Sequence, residues 1–142
     1  MIDVGLVHSS TIPYIWEDVQ EVILTKGQAW LETVDLQEVL QLLLRQDLDL
    51  WIGTDGDELS FAAICGWENH AKRRFYHVMW VGGKGLLGCL KDATSKMEQF
   101  ACSCGAAEVV FGGRDGWEKV MRKMGYTASL QMRKNVQVCW RH

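Results

Sequence analysis

Phe75-Tyr76-His77-Val78-Met79-Trp80-Val81 runs directly into Gly82-Gly83-Lys84-Gly85. The first seven residues are aromatic, β-branched or otherwise apolar on both alternating sides, with His77 the one exception. Such a run predicts a strand covered on both faces, inside a sheet rather than at its edge. The glycines end it. From Leu86 a helix is predicted as far as Ser103, with Leu87, Leu90, Met97, Phe100 and Ala101 on its apolar face and Gly105 as its stop. Glu108-Val109-Val110-Phe111 reads as a further strand, and Gly112 to Gly116 as a turn. The turn leads to a short helix, Trp117 to Lys123, closed by Gly125.

Upstream, Leu50-Trp51-Ile52 and Leu59 to Trp67 read as the two strands of a hairpin, joined by Thr54-Asp55-Gly56-Asp57. Glu68 to Arg74 is polar and is expected to be a loop. Before the hairpin the apolar period changes from two to about 3.6. Ser9-Ser10-Thr11 and Pro13 start a helix carrying Ile15, Trp16, Val19, Val22 and Ile23, which Gly27 weakens or ends. Asp35 caps a second helix with Leu36, Val39, Leu40, Leu43 and Leu44 on one face and Glu38 in its first turn. Two amphipathic helices are thus expected to open the domain. Downstream, Tyr126 to Trp140 reads as one or two strands bent near Lys134-Asn135.

A length of 142 residues suits one domain, 1–142, and only Pro13 is a proline, so no Pro-rich linker divides it. Hydrophobic residues make up 48% and charged residues 23%, ordinary for a globular chain. The net charge of -3 provides no electrostatic footprint for nucleic acid, and Lys72-Arg73-Arg74 is a short solvated run. No apolar stretch approaches the roughly 18–20 residues of a membrane span. The amino terminus lacks signal-peptide character, so a cytoplasmic setting with reduced cysteines is expected. Cys65, Cys89 and Cys139 stand singly, and Cys102-Ser103-Cys104 lacks zinc-ribbon spacing. With His70 and His77 also unpartnered by spacing, no metal is expected. The seven Trp suit packing in a small core or at a contact.

The order of elements resembles the GNAT acyltransferase superfamily over nearly the whole chain, most of all from Val78 to Tyr126. The resemblance implies an α+β fold. Its sheet would be mixed but mostly antiparallel, splayed in a V between central strands and flanked by helices. In that family the turn after the central strand cradles the coenzyme A pyrophosphate, which here implies Val81, Gly82, Gly83, Lys84 and Gly85 as acetyl-CoA contacts. Free N–H groups at a helix start attract phosphate, and glycine lets the backbone approach it. Aligning Gly85 with the first motif glycine puts Gly82 where the family has Arg or Gln, and Leu87 where it has Gly or Ala. The same cluster also suits a plain strand-to-helix turn.

For catalysis, the family commonly uses a base on a strand and a Tyr near the last helix as acid. His77 is the base candidate, since its unperturbed pKa suits the task. An isolated His on an apolar strand equally suits a packed, hydrogen-bonded position. The helix Trp117–Lys123 contains no Tyr, so the acid has no counterpart there, and Tyr126 matches a packing position. Glu108 starts its strand at a solvated edge, and Arg114 beside Asp115 suits either an anion or a capping pair.

Within the superfamily the chain is most similar to small GNAT-like proteins encoded among tailed-phage and prophage structural genes. The features are Ile15-Trp16-Glu17-Asp18-Val19, Asp35 to Leu40, Leu50-Trp51, and Gly113-Arg114-Asp115-Gly116-Trp117 leading to Met124-Gly125-Tyr126. That likeness implies a catalytically degenerate protein of virion structure or assembly, in the host cytoplasm or the virion. Its partners would be phage structural proteins or further copies of itself. The alternative is an acetyl-CoA-dependent N-acetyltransferase acting on an amine.

Overall fold

The computed structural model describes residues 1–24, 35–112 and 117–129. The chain divides into two compact units, Met1–Gly112 and Gly113–His142. In the first, the strand β1 (Ile2–Leu6) precedes the helices α1 (Ile12–Leu24) and α2 (Leu36–Leu44). There follow β2 (Leu48–Asp55), β3 (Glu58–His70) and β4 (Arg73–Gly83), then a 3-10 turn (Leu87–Cys89), α3 (Leu90–Ser103) and β5 (Glu108–Phe111). The sheet order is β1-β2-β3-β4-β5, antiparallel throughout except for β4 with β5. A parallel pair needs a crossover, and α3 is that crossover. The mixed, mostly antiparallel sheet with flanking helices is the architecture implied by the resemblance.

Strand alternation divides the core into two layers. Leu50 lies opposite Ile64 and Trp51 opposite Ala63, so consecutive residues of β2 face opposite sides. On one side Ile12, Trp16, Val19 and Ile23 of α1 and Val39 and Leu43 of α2 pack on Leu50, Ala62 and Ile64. Each such fully buried aliphatic side chain is worth about 1.5–3 kcal/mol. On the other side Trp51, Trp67 and Tyr76 gather around Phe100 of α3, with ring centroids 5.6–6.4 Å from its own. The tryptophans of β2 and β3 thus pack against this helix, as expected for space-filling rings. Asp35 caps α2 as expected, accepting from the backbone N–H of Gln37 at 2.9 Å.

Three elements differ from the sequence reading. A strand, not a helix, opens the chain: Ile2 to Leu6 pairs with Asp55 to Trp51 at the sheet edge. Glu68 to Arg74 is not a loop, because Glu68, Asn69 and His70 pair with Phe75, Arg74 and Arg73. Ala71 at φ 54 turns the chain there, so the ladder extends into polar sequence. Finally, α3 starts at Leu90 rather than Leu86, after the tighter 3-10 turn.

In the second unit, α4 (Glu118–Lys123) carries an ion pair one turn apart, Glu118 to Arg122 at 2.7 Å. Gly125 at φ 91 ends it, and the Tyr126 N–H donates to Met121 O at 3.1 Å. A left-handed glycine closing a helix in this way needs no side chain to cap the last carbonyls. The expected turn at Gly113–Gly116, with Arg114 and Asp115, and the tail strands beyond Ser129 lie outside the described residues, as do Gly27 and Cys139. No described helix is long and apolar enough to cross a membrane.

Candidate functional site

The pairing of β4 with β5 ends at Val78. The ladder between β4 and β5 runs from Phe75 opposite Glu108 to Val78 opposite Phe111, where β5 ends. The Gly112 N–H still donates to Val78 O at 3.2 Å, but β4 continues to Gly83. On its other edge, β4 carries a bulge at the same place. Cys65 of β3 lies opposite Val78 and Ile64 opposite Trp80, which leaves Met79 as the extra residue. A bulge bends its strand and re-aims the side chains beyond it. The bulge and the end of the β4–β5 ladder thus fall at the same point of β4.

Most of the glycine cluster at the far end of β4 belongs to the strand itself. Val81, Gly82 and Gly83 are strand residues, paired with Ala63, Ala62 and Phe61. The Lys84 N–H donates to Ser60 O at 2.8 Å, and Ser60 Oγ donates back to Lys84 O at 2.8 Å. A Cβ on Gly82 would stand 2.8 Å from Ile23 Cα, so this glycine lets α1 lie against the sheet. Gly83, at φ 110, has no room for a Cβ beside Ser60 O and Phe61 Cα. Packing thus accounts for both. The Lys84 side chain is exposed, and Cys89, which precedes α3, forms no side-chain cap. Cys89 Sγ instead donates to Gly85 O at 3.3 Å.

His77 sits one residue before the ladder ends. It is 26% exposed rather than buried in the core, and it shares a sheet face with the α1–α2 layer, because its partner Gly66 faces Leu48. Its Nδ1 is 2.9 Å from Oε1 of Glu68, a diagonal neighbour on β3. The other oxygen of Glu68 is 3.3 Å from Nε2 of His70. Arg73 continues the polar row: it pairs with Glu108 at 2.8 Å and lies 5.3 Å from the Phe75 ring centroid. Hydrogen bonds from His77 and then His70 hold the Glu68 carboxyl below the ordinary carboxylate range. Sequence reasoning placed Glu68 in a loop and missed this pairing. Only the register of β3 against β4 brings positions 68 and 77 together.

The opposite face of β4 holds a closed polar network. Trp51 Nε1 donates to the Tyr76 hydroxyl at 2.8 Å, and that hydroxyl donates to Asp49 Oδ2 at 2.8 Å. Burial pushes the Asp49 carboxyl above its usual range, against the hydrogen bonds from Tyr76 and Trp67. Burial likewise pushes up the Tyr76 hydroxyl and the Cys65 thiol. Neither can supply or take a proton readily at neutral pH. Arg74 lies over the Trp67 ring at 3.8 Å and donates to Cys104 O at 2.9 Å. A cavity of about 230 Å³ opens beside Asp49 at the end of β1, between Leu6, Ser9, Gln46 and Phe100, and no residue of β4 or β5 lines it. Among the described residues no group of three His, Cys, Asp or Glu is placed to hold a metal ion.

The architecture matches that of solved acetyltransferases. A predicted acetyltransferase from Clostridium acetobutylicum, solved with acetyl-CoA, superposes with a TM-score of 0.69, covering 100% of each chain at 10% identity. Glucosamine-6-phosphate N-acetyltransferase from Arabidopsis thaliana gives 0.67, covering 95% of this chain and 98% of that one at 12% identity. An aminoglycoside acetyltransferase from an uncultured soil metagenomic sample, in complex with sisomicin, gives 0.67 at 12% identity, with 94% and 93% covered. No protein-family model matches the sequence. No curated protein matches it either. The chain has the GNAT acetyltransferase fold, shared without close sequence identity.

Proposed function

We propose that this protein transfers an acetyl group from acetyl-CoA to an amine. The carrying observation is the end of the β4–β5 ladder at Val78, beside a bulge and beside His77, in a fold whose solved neighbours include a predicted acetyltransferase with acetyl-CoA. Fold alone does not assign chemistry, so the residues must carry it. Acetyl-CoA supplies an activated acyl group: the amine nitrogen bonds to the thioester carbon, and the sulfur leaves as thiolate. The residues assigned to the coenzyme are Val81, Gly82, Gly83, Lys84 and Gly85. Of these, Lys84 provides charge for the pyrophosphate, while Gly82 and Gly83 hold the strand against α1 and β3. His77 takes the proton released by the attacking amine. No Tyr lies in α4, so the thiolate is left to solvent for its proton.

A second reading, the non-catalytic virion or assembly protein, is favoured by one observation. The motif positions Gly82 and Leu87 depart from the family pattern, and Gly82 is accounted for by packing. The phage likeness itself rests on the sequence features alone. One assay separates the two readings: acetyl-CoA incubated with the protein and, in turn, sisomicin and glucosamine 6-phosphate as amine probes. Amine-dependent thiol release, with one acetyl added to the probe by mass, supports the enzyme. Protein-dependent release with neither amine favours the scaffold.

A further inference from the structure

Resting on the acetyltransferase reading, we propose that Glu68 is the positioning residue that sets the His77 ring, making Nε2 its basic nitrogen. The geometry is direct. Glu68 Oε1 lies 2.9 Å from His77 Nδ1, and both side chains project from the same face of adjacent strands. An ionised carboxylate accepts hydrogen bonds and donates none, so the shared hydrogen belongs to Nδ1. A neutral imidazole with its hydrogen on Nδ1 has its lone pair on Nε2. No described residue forms a hydrogen bond with that nitrogen, and the side chain is 26% exposed, so an amine can approach it.

The proton then follows a balanced path. As the amine nitrogen bonds to the acetyl carbon, its proton moves to His77 Nε2 and the C–S electron pair leaves with sulfur. The resulting imidazolium stays bonded through Nδ1 to Glu68, whose negative charge offsets the new positive one at 2.9 Å. Glu68 never touches the substrate. His70, at 3.3 Å from the second carboxylate oxygen, restricts the rotation of Glu68 and so narrows the orientation of His77.

The test uses the whole chain labelled with ¹⁵N in its histidines, as wild type and as Glu68→Ala. Glu68 is 48% exposed at its side chain, so its removal leaves the core intact, which a single cooperative thermal transition checks. In the wild type, the ring nitrogen shifts at neutral pH should report hydrogen on Nδ1 of His77. In Glu68→Ala the population should move toward Nε2–H. Turnover with acetyl-CoA and sisomicin should drop at least about 10-fold in kcat, within the roughly 10²–10⁴ that a whole general base supplies. KM for acetyl-CoA should stay unchanged. A wild-type ring carrying its hydrogen on Nε2, or a Glu68→Ala enzyme at full rate, overturns the proposal. Absence of turnover in the wild type with either amine probe overturns the acetyltransferase reading and the base role with it. The nitrogen shifts still decide the ring assignment in that case.

Discussion

Tyr76 and His77 are consecutive residues of β4, and the structure uses them in opposite ways. Tyr76 is 0% exposed, with its hydroxyl held between Trp51 and Asp49 and its ring in edge contact with that of Phe100. His77 is a quarter exposed and reaches an open carboxylate on the neighbouring strand. The pleat alone separates them, since alternate side chains of a strand face opposite sides of the sheet. One face is covered by α3 around Tyr76, where the buried hydroxyl is satisfied by Trp51 and Asp49. The other face, past the cover of α1 and α2, leaves a titratable pair within reach of a solute. The buried polar network lies on the first face and the Glu68–His77 pair on the second.

That division is easiest to break at Tyr76. Tyr76→Ala removes a fully buried ring and should destabilise the domain by about 3–5 kcal/mol, measured by denaturant unfolding. Tyr76→Phe keeps the ring and leaves Trp51 Nε1 and Asp49 each short of a partner, for about 1–3 kcal/mol. A Tyr76→Phe protein as stable as wild type shows the network to be ornamental.

His77→Gln should behave in the reverse manner. Its hydrogen bond to Glu68 is partly solvated, so stability should change by no more than about 1 kcal/mol. Acetyl transfer should fall by roughly 10²-fold or more, the share of a positioned general base. Steady-state kinetics and a melting curve on one preparation check both. A large stability loss with unchanged kcat makes His77 a packing residue and ends its catalytic assignment.

A smaller effect distinguishes the two carboxylates by pH. Asp49 holds its proton more readily in the folded chain than in the unfolded one, because burial disfavours its charge. Its contribution is whole below the ordinary carboxylate pKa and is lost as pH rises through the raised value. Glu68 is depressed by His77 and His70, so its contribution is present above the ordinary value and lost as pH falls through the lowered one. Asp49→Asn should therefore gain on wild type as pH rises from about 3 to 7, a span that covers the carboxylate range. Glu68→Ala should fall furthest behind wild type near neutrality and close the gap toward acid. Thermal midpoints across that range check both slopes; parallel slopes would mean that the two faces do not differ in solvation.

Much of this arrangement is legible in residue order. The apolar run of Phe75–Val81, the helical period ending at Gly105, and Glu108–Phe111 mark the strand, crossover and parallel partner that define the fold. Asp35 as a cap is equally plain, because its role is local. What escapes is whatever depends on pairing across the sheet. β1 is short and interrupted by Asp3 and Gly5, and only its edge position against β2 explains why so polar a strand forms. Glu68-Asn69-His70 has loop composition and joins the ladder because β4 continues opposite it. Gly82 and Gly83 stand out in any reading, yet their cause is the closeness of Ile23, Ser60 and Phe61, which are 22 or more positions away in sequence. Glu68 reaches His77 through the hairpin register set by the turn at Ala71, which the polar composition of the segment hides.

Calorimetric titration of the whole chain with acetyl-CoA tests the central claim most directly. Gly83 is unsuited as the variant, since its substitution disturbs β3 before it reaches any ligand. Lys84 is exposed and can be changed without that confusion. Saturable heat at one ligand per chain is expected, with affinity weakened by Lys84→Ala roughly 2- to 5-fold, as suits an exposed ion pair worth up to about 1 kcal/mol. A flat titration with wild type, for acetyl-CoA and for free coenzyme A alike, contradicts the assignment of this fold to acyl transfer.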